Sequence, residues 1–117
     1  MKVIVAGSRD FNDYVTAKAF IDNCLSEYAT SDFVFISGEC RGADRIGERY
    51  AKENGFRIER FPAEWNKFGR AAGPIRNKRM AEACDILICF WDGESRGTAS
   101  VIDFCKKKNK KIFIKFI

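Results

Sequence analysis

Phe33-Val34-Phe35-Ile36, followed by Ser37-Gly38-Glu39-Cys40-Arg41-Gly42-Ala43-Asp44, carries the reading of this chain. The four apolar residues predict a short buried strand. The segment 43–54 places Ile46, Tyr50 and Ala51 at helical spacing and predicts a helix ending before Gly55. Between the two lies a turn in which Gly38 and Gly42 let the backbone come close to a ligand. Arg41 adds a fixed positive charge, and Asp44 sits in the first helical turn. A strand that empties through glycines into a helix presents unpaired N–H groups to an anion. The same residues also suit a plain connection in which Asp44 merely favours the helix N-terminus. The chain repeats the arrangement twice more, at Gly7-Ser8-Arg9-Asp10-Phe11 and at Asp92-Gly93-Glu94-Ser95-Arg96-Gly97-Thr98.

Working outward, residues 2–6 predict a first strand. A helix follows over 13–28, capped by Asp10 or Asn12, with Val15, Ala19, Phe20, Cys24 and Leu25 facing a sheet. Gly47 is placed to let the helix over 43–54 pack closely. Residues 56–61 alternate apolar and charged, as a half-exposed edge strand does. Residues 62–73 predict a long loop, of the kind more often functional than not. Pro74 then suits the first position of a helix to about residue 83. Residues 86–91 predict the most hydrophobic and central strand, the glycine turn over 92–98 opens a helix to about residue 108, and 111–117 predict a last strand.

The order β-α-β-α-β-α-β-α-β predicts an α/β fold: a single Rossmann-like domain over 1–117, three-layered α/β/α, with a five-stranded parallel sheet. Strand order 3-2-1-4-5 sets strands one and four side by side. Their carboxyl ends form the switch point where such sheets bind ligands. The turns at Gly7, Gly38, Trp65 and Gly93 then converge on one crevice.

Composition narrows the chemistry. Hydrophobic residues at 46%, aromatics at 14% and eleven phenylalanines describe a chain with an ordinary core. The chain has no histidine, which excludes a Ser-His triad, a Cys-His pair and the common zinc hydrolases. Five cysteines without a Cys-x-x-Cys pair argue against disulfides and a structural zinc, so no metal or cofactor is expected. Cys24, Cys84, Cys89 and Cys105 read as core, which suits a reducing cytoplasm. No run is long enough to span a membrane, and Gly7 comes too early for a signal peptide. The net charge of +5 invites a nucleic-acid reading. Much of it lies at Lys106, Lys107, Lys108, Lys110 and Lys111, where cations at a helix C-terminus are favourable anyway.

Gly7-Ser8-Arg9 lacks the remaining glycines of the dinucleotide fingerprint, and no Walker sequence occurs. Gly93, Ser95, Gly97 and Thr98 offer N–H and hydroxyl donors suited to phosphate. Arg76, Asn77 and Met80 open the helix after the long loop. Trp65 and Trp91 read either as core or, for Trp91 at a strand's carboxyl end, as a surface on which a base stacks. The ligand-binding set expected from sequence therefore comprises Gly7, Ser8, Arg9, Ser37, Gly38, Arg41, Gly42, Asp44, Trp65, Arg76, Asn77, Met80, Trp91, Asp92, Gly93, Ser95, Gly97 and Thr98.

These motifs, with Pro62-Ala63-Glu64-Trp65 and Ala72-Gly73-Pro74-Ile75-Arg76-Asn77, resemble the YspA-like family of the SLOG superfamily of Rossmann-like proteins. The resemblance implies a sensor or processor of nucleotide-derived small molecules in bacterial or phage settings. Two related families suggest alternatives. In Lonely Guy phosphoribohydrolases the stretch matching Asp92–Val101 holds phosphate and carries a catalytic glutamate. Here Val101 stands at that position, so N-glycosidic cleavage of a nucleoside monophosphate would have to recruit Asp10, Asp44, Glu48 or Asp92, of which Asp44 and Glu48, held on one helix, are preferred. The DNA-processing protein A family has similar turns and binds single-stranded DNA, which makes nucleic acid the second partner class. A homo-oligomer is compatible with the sequence.

Overall fold

The computed structural model describes residues 1–28, 32–39 and 42–117. Cys40 and Arg41 lie outside the described residues, and the role expected of Arg41 with them. Five strands pair in parallel in the order β3-β2-β1-β4-β5: β1 (Lys2–Gly7), β2 (Val34–Ser37), β3 (Arg57–Arg60), β4 (Ile86–Trp91) and β5 (Lys111–Phe116). This is the expected strand order, with the alternating strand β3 at one edge. The helices are α1 (Tyr14–Leu25), α2 (Ala43–Glu53), α3 (Trp65–Phe68), α4 (Ala72–Ala83) and α5 (Arg96–Lys107), with a 3-10 turn at Gly69–Ala71 between α3 and α4.

Alternation along β1 assigns the layers. Val3 and Val5 face α1 and α2, together with Phe35, Ile86, Ile88 and Phe90. Ile4 and Ala6 face α4 and α5, together with Ile36, Leu87 and Cys89. Both faces of β1 and β4 are covered, which is why these strands are apolar from Val3 to Ala6 and from Ile86 to Trp91. Cys24, Cys84, Cys89 and Cys105 are all buried, as expected. Gly47 lets α2 lie directly on the sheet, since a Cβ there would stand 2.8 Å from Val5 Cβ.

Three local expectations are corrected. The buried stripe of α1 is Ala17, Ile21, Cys24 and Leu25, whereas Val15 is 82% exposed and Ala19 is exposed. The cap of α1 is Asp13, whose carboxylate accepts from the Thr16 N–H at 3.2 Å and the Thr16 hydroxyl at 2.7 Å. The expected loop over 62–73 holds α3 and the 3-10 turn, and α4 starts at Ala72, so Pro74 is its third residue. A proline there still falls within the first turn, where its missing N–H has no intrahelical partner to lose.

Candidate functional site

At the carboxyl ends of β1 and β4 a crevice of about 420 Å³ opens between the two strands. The switch-point topology puts it there. Gly7 makes the first wall possible: it pairs with Phe90, and a Cβ on Gly7 would fall 2.2 Å from the Phe90 carbonyl oxygen. The Ser8 N–H then donates to that carbonyl at 3.1 Å and turns the chain out of the sheet. Gly42 brings α2 against this turn. Its φ of +80° suits glycine, and a Cβ would meet the Ser8 carbonyl oxygen at 2.4 Å.

The second wall is the turn into α5. Asp92 Oδ1 accepts from the N–H groups of Ser95 at 2.8 Å and Glu94 at 2.9 Å. These two bonds hold its carboxyl below the usual range. The first helical bond of α5 runs from the Ala99 N–H to the Ser95 carbonyl. The N–H groups of Arg96, Gly97 and Thr98 precede it, the usual donor set of a helix start. Arg96, Gly97, Thr98 and Ser95 all line the crevice.

One hydroxyl stands out. Ser8 is 9% exposed and lines the crevice, yet its Oγ has no hydrogen-bond partner among the described residues. It lies near enough to Asp92 to help hold that carboxylate's charge, but not in hydrogen-bonding geometry. A buried unpaired hydroxyl is costly, and such exceptions cluster where function demands them.

The third wall braces the β2–α2 turn. The Gly38 N–H donates to Asp44 Oδ2 at 3.1 Å, and the Gly38 carbonyl accepts from Arg76 Nη1. Asp44 and Arg76, from α2 and α4, thus hold Gly38 by its N–H and its carbonyl while lining the crevice.

Of the residues expected from sequence, Gly7, Ser8, Arg9, Asp44, Arg76, Asp92, Ser95, Gly97 and Thr98 line this crevice, and Ala6, Asp10 and Arg96 join them. The others are placed differently. Met80 is core, packed with Ile4 and Ile36. Trp91 tilts against Phe116, and its Nε1 donates to the Ser95 carbonyl at 3.1 Å, so it supports the turn from outside the crevice. Trp65 is 58% exposed on α3, and neither it nor Gly93 lines the crevice. Asn77 reaches Gly97 O at 3.5 Å and Ser100 Oγ at 3.4 Å, tying α4 to α5.

Glu48 is buried away from the crevice. It accepts from the Ser37 hydroxyl at 2.7 Å and pairs with Arg60 at 3.3 Å. Burial pushes its carboxyl up, but the Ser37 hydroxyl and Arg60 guanidinium outweigh that, and the net shift is downward. Ser37 and Arg60 are register partners on β2 and β3, so Glu48 closes a bond network over the sheet. Val101 is buried, as a core valine of α5.

Among the described residues no group of three side chains could hold a metal ion, and no helix is long and apolar enough to cross a membrane.

Known proteins match at three levels. The X-ray structure of DNA processing protein A (DprA) from Streptococcus pneumoniae superposes with a TM-score of 0.75 at 18% identity, covering 97% of this chain and 49% of that one. This chain therefore spans about half the length of that structure, and the likeness is one of fold. The Gene 61 protein of Mycobacterium phage D29 is 34% identical over 105 residues, 83% of this chain and 82% of that protein. Residues 1–68, more than half of the chain, match the model of the YspA, cpYpsA-related SLOG family, and the chain belongs to that family.

Proposed function

We propose that the chain binds a phosphorylated nucleotide derivative, with the phosphate in the switch-point crevice. The observation that carries this reading is the Ser8 hydroxyl, buried and without a hydrogen-bond partner among the described residues, in the crevice that the start of α5 also lines. A phosphate oxygen between the two would accept from Ser8 and from the helix N–H groups together, at the positive end of the α5 dipole. Arg9 and Arg96 supply charge at the rim; neither has an ion-pair partner among the described residues. Family membership and the name of the structural neighbour are consistent with a ligand of nucleotide or nucleic-acid chemistry. The lysine run sits in and after the last turn of α5, at the opposite end of that helix from the crevice, and contributes little to it.

Thermal shift tests the reading. A nucleoside monophosphate at a hundred times its Kd adds about 2.7 kcal/mol of stability, a rise in Tm of roughly 10 °C for a domain of this size. If only single-stranded oligonucleotides stabilise the protein, and the effect collapses between 50 and 200 mM salt as expected for phosphate-backbone contacts (about those concentrations), the small-molecule reading is wrong.

A further inference from the structure

The crevice lacks something a nucleotide needs. Among the described residues that line it, none is aromatic and none is a large aliphatic residue. A base attached to a phosphate held there has nothing to stack on inside it. Immediately beyond Arg9 and Asp10, which line both spaces, lies a second cleft of about 380 Å³ between the β1–α1 turn and the outer side of α2. Each volume falls within the roughly 300–1,000 Å³ of small-molecule sites.

The side cleft supplies what the crevice lacks. Phe11, Tyr14 and Ile46 line it. Phe11 is fixed from behind by Phe90, with ring centroids 4.9 Å apart and planes 18° from parallel. Arg49 lies over the Tyr14 ring, 3.8 Å from its centroid. Glu53 fixes both partners, accepting from the Tyr14 hydroxyl at 2.7 Å and pairing with Arg49 Nε at 3.0 Å. Burial, and then the bond to Glu53, push the Tyr14 hydroxyl up to about 12, so it remains a donor at neutral pH. A guanidinium pinned flat against a ring offers its outer face to another planar group.

The polar rim has a pattern. Arg45, one helical turn before Arg49, is exposed and has no ion-pair partner among the described residues. Arg9 and Arg45 are donors, and Asp10 is an acceptor. Guanine presents the complement: acceptors at O6 and N7, which arginine reads in pairs, and N–H donors along its pairing edge. Adenine and cytosine each place an amino donor where guanine has O6 or its counterpart acceptor.

Resting on the phosphate reading of the crevice, we infer that the side cleft is the base-binding half of the same site, taking a guanine-type purine whose 5′-phosphate lies against Ser8 and α5.

Calorimetry with guanosine 5′-monophosphate, cytidine 5′-monophosphate and ribose 5-phosphate, on the wild type and Arg45→Gln, separates the two halves. Arg45 is an exposed helix residue, and a matching Tm will show that its variant is folded. Guanosine 5′-monophosphate is expected to bind at least about tenfold tighter than ribose 5-phosphate, in line with the value of one stacked base. It should also bind several-fold tighter than the cytidine nucleotide. Arg45→Gln should remove most of that advantage and leave ribose 5-phosphate binding unchanged. Equal binding of all three probes overturns the base subsite, and cytidine matching guanosine overturns the choice of base. Equal weakening of ribose 5-phosphate by Arg45→Gln shows that Arg45 reads phosphate instead. If neither ribose 5-phosphate nor the nucleotides bind, the crevice reading itself fails, and this inference with it.

Discussion

Ser8→Ala should make this protein more stable and worse at binding. The hydroxyl is buried with no partner among the described residues, so the folded state carries a desolvation cost that the unfolded chain does not. Removing such a group recovers about 1 kcal/mol, the lower end of the penalty for an unsatisfied buried donor. Alanine keeps the Cβ, so the change leaves no void larger than one oxygen. The Asp92 carboxylate loses a minor neighbour but keeps both backbone donors, which dominate its environment. For a chain of 117 residues, 1 kcal/mol corresponds to a rise in Tm of roughly 4 °C. Binding moves the other way. A hydroxyl bond to a charged phosphate is worth about 1.5–3 kcal/mol, so the Kd for a nucleoside monophosphate should rise about 10- to 150-fold. Scanning fluorimetry without ligand and calorimetry with it read the two effects separately. A variant that melts lower and binds as the wild type does would refute the reasoning, because solvent would then be satisfying the hydroxyl and the crevice would have no use for it.

Three further outcomes are expected. Gly47→Ala places a carbon 2.8 Å from Val5 Cβ, where about 3.5–4.0 Å is comfortable. Overpacking at about 1–3 kcal/mol should exceed the roughly 1 kcal/mol gain in helix propensity, and a urea midpoint above the wild type's would contradict this. Glu48 has a carboxyl lowered from 4.5, so its stabilising contribution is complete above that value and fades as pH falls through the lower folded-state value. Glu48→Gln should cost about 1.5–3 kcal/mol at neutral pH and flatten the acid limb of the stability curve, whereas an unchanged limb would mean that other carboxylates set it. Chromatography of nucleoside monophosphates after long incubation should show little free base, and release abolished by Asp44→Asn would make the protein a hydrolase.

The layers of this fold were legible because they depend on runs and periods that need no partner to be seen. Phe33–Ile36 and Ile86–Trp91 are apolar at every position, and only a strand covered on both faces makes use of that. The register of α1 was not legible. Val15 continues an apolar series on paper, but it stands on the solvent side of the helix, and Ala17, too small to mark a stripe, is the residue that packs. The crevice followed from topology, since any chain with this strand order brings these turns together. Which side chains turn into it did not. Glu48 shares a helix with Asp44, yet it is drawn inward because Ser37 and Arg60 meet across β2 and β3, a pairing far apart in sequence. Met80 lies four residues after Arg76 and goes to the core because α4 packs on Ile4 and Ile36. The side cleft was missed for a similar reason. Arg45 and Arg49 look like the solvated face of a helix until the β1–α1 turn is set beside them.

Whether the site binds or also cleaves turns on its carboxylates. Cleavage of an N-glycosidic bond builds positive charge on the sugar, and only a group that stabilises that charge more than the ground state adds rate. Phosphate contacts from Ser8 and the start of α5 do not qualify, since substrate and transition state share them. Among the described residues three carboxylates line the crevice: Asp10, Asp44 and Asp92. Asp92 is committed to the amides of Glu94 and Ser95, and without it the turn into α5 loses its shape. Asp44 is committed through one oxygen to the amide of Gly38, whose carbonyl Arg76 holds from the other side. It is a rigid carboxylate on the crevice wall, and it shares its hold on Gly38 with a guanidinium whose charge opposes its own. Glu48, the other candidate, is spent on Ser37 and Arg60. Asp92 and Asp44 thus act first on the chain's own backbone, shaping a fixed cradle for an anion, while Asp10 stands exposed at the rim shared with the side cleft; a fixed cradle whose remaining carboxylate lies at its rim favours holding a nucleotide over breaking one.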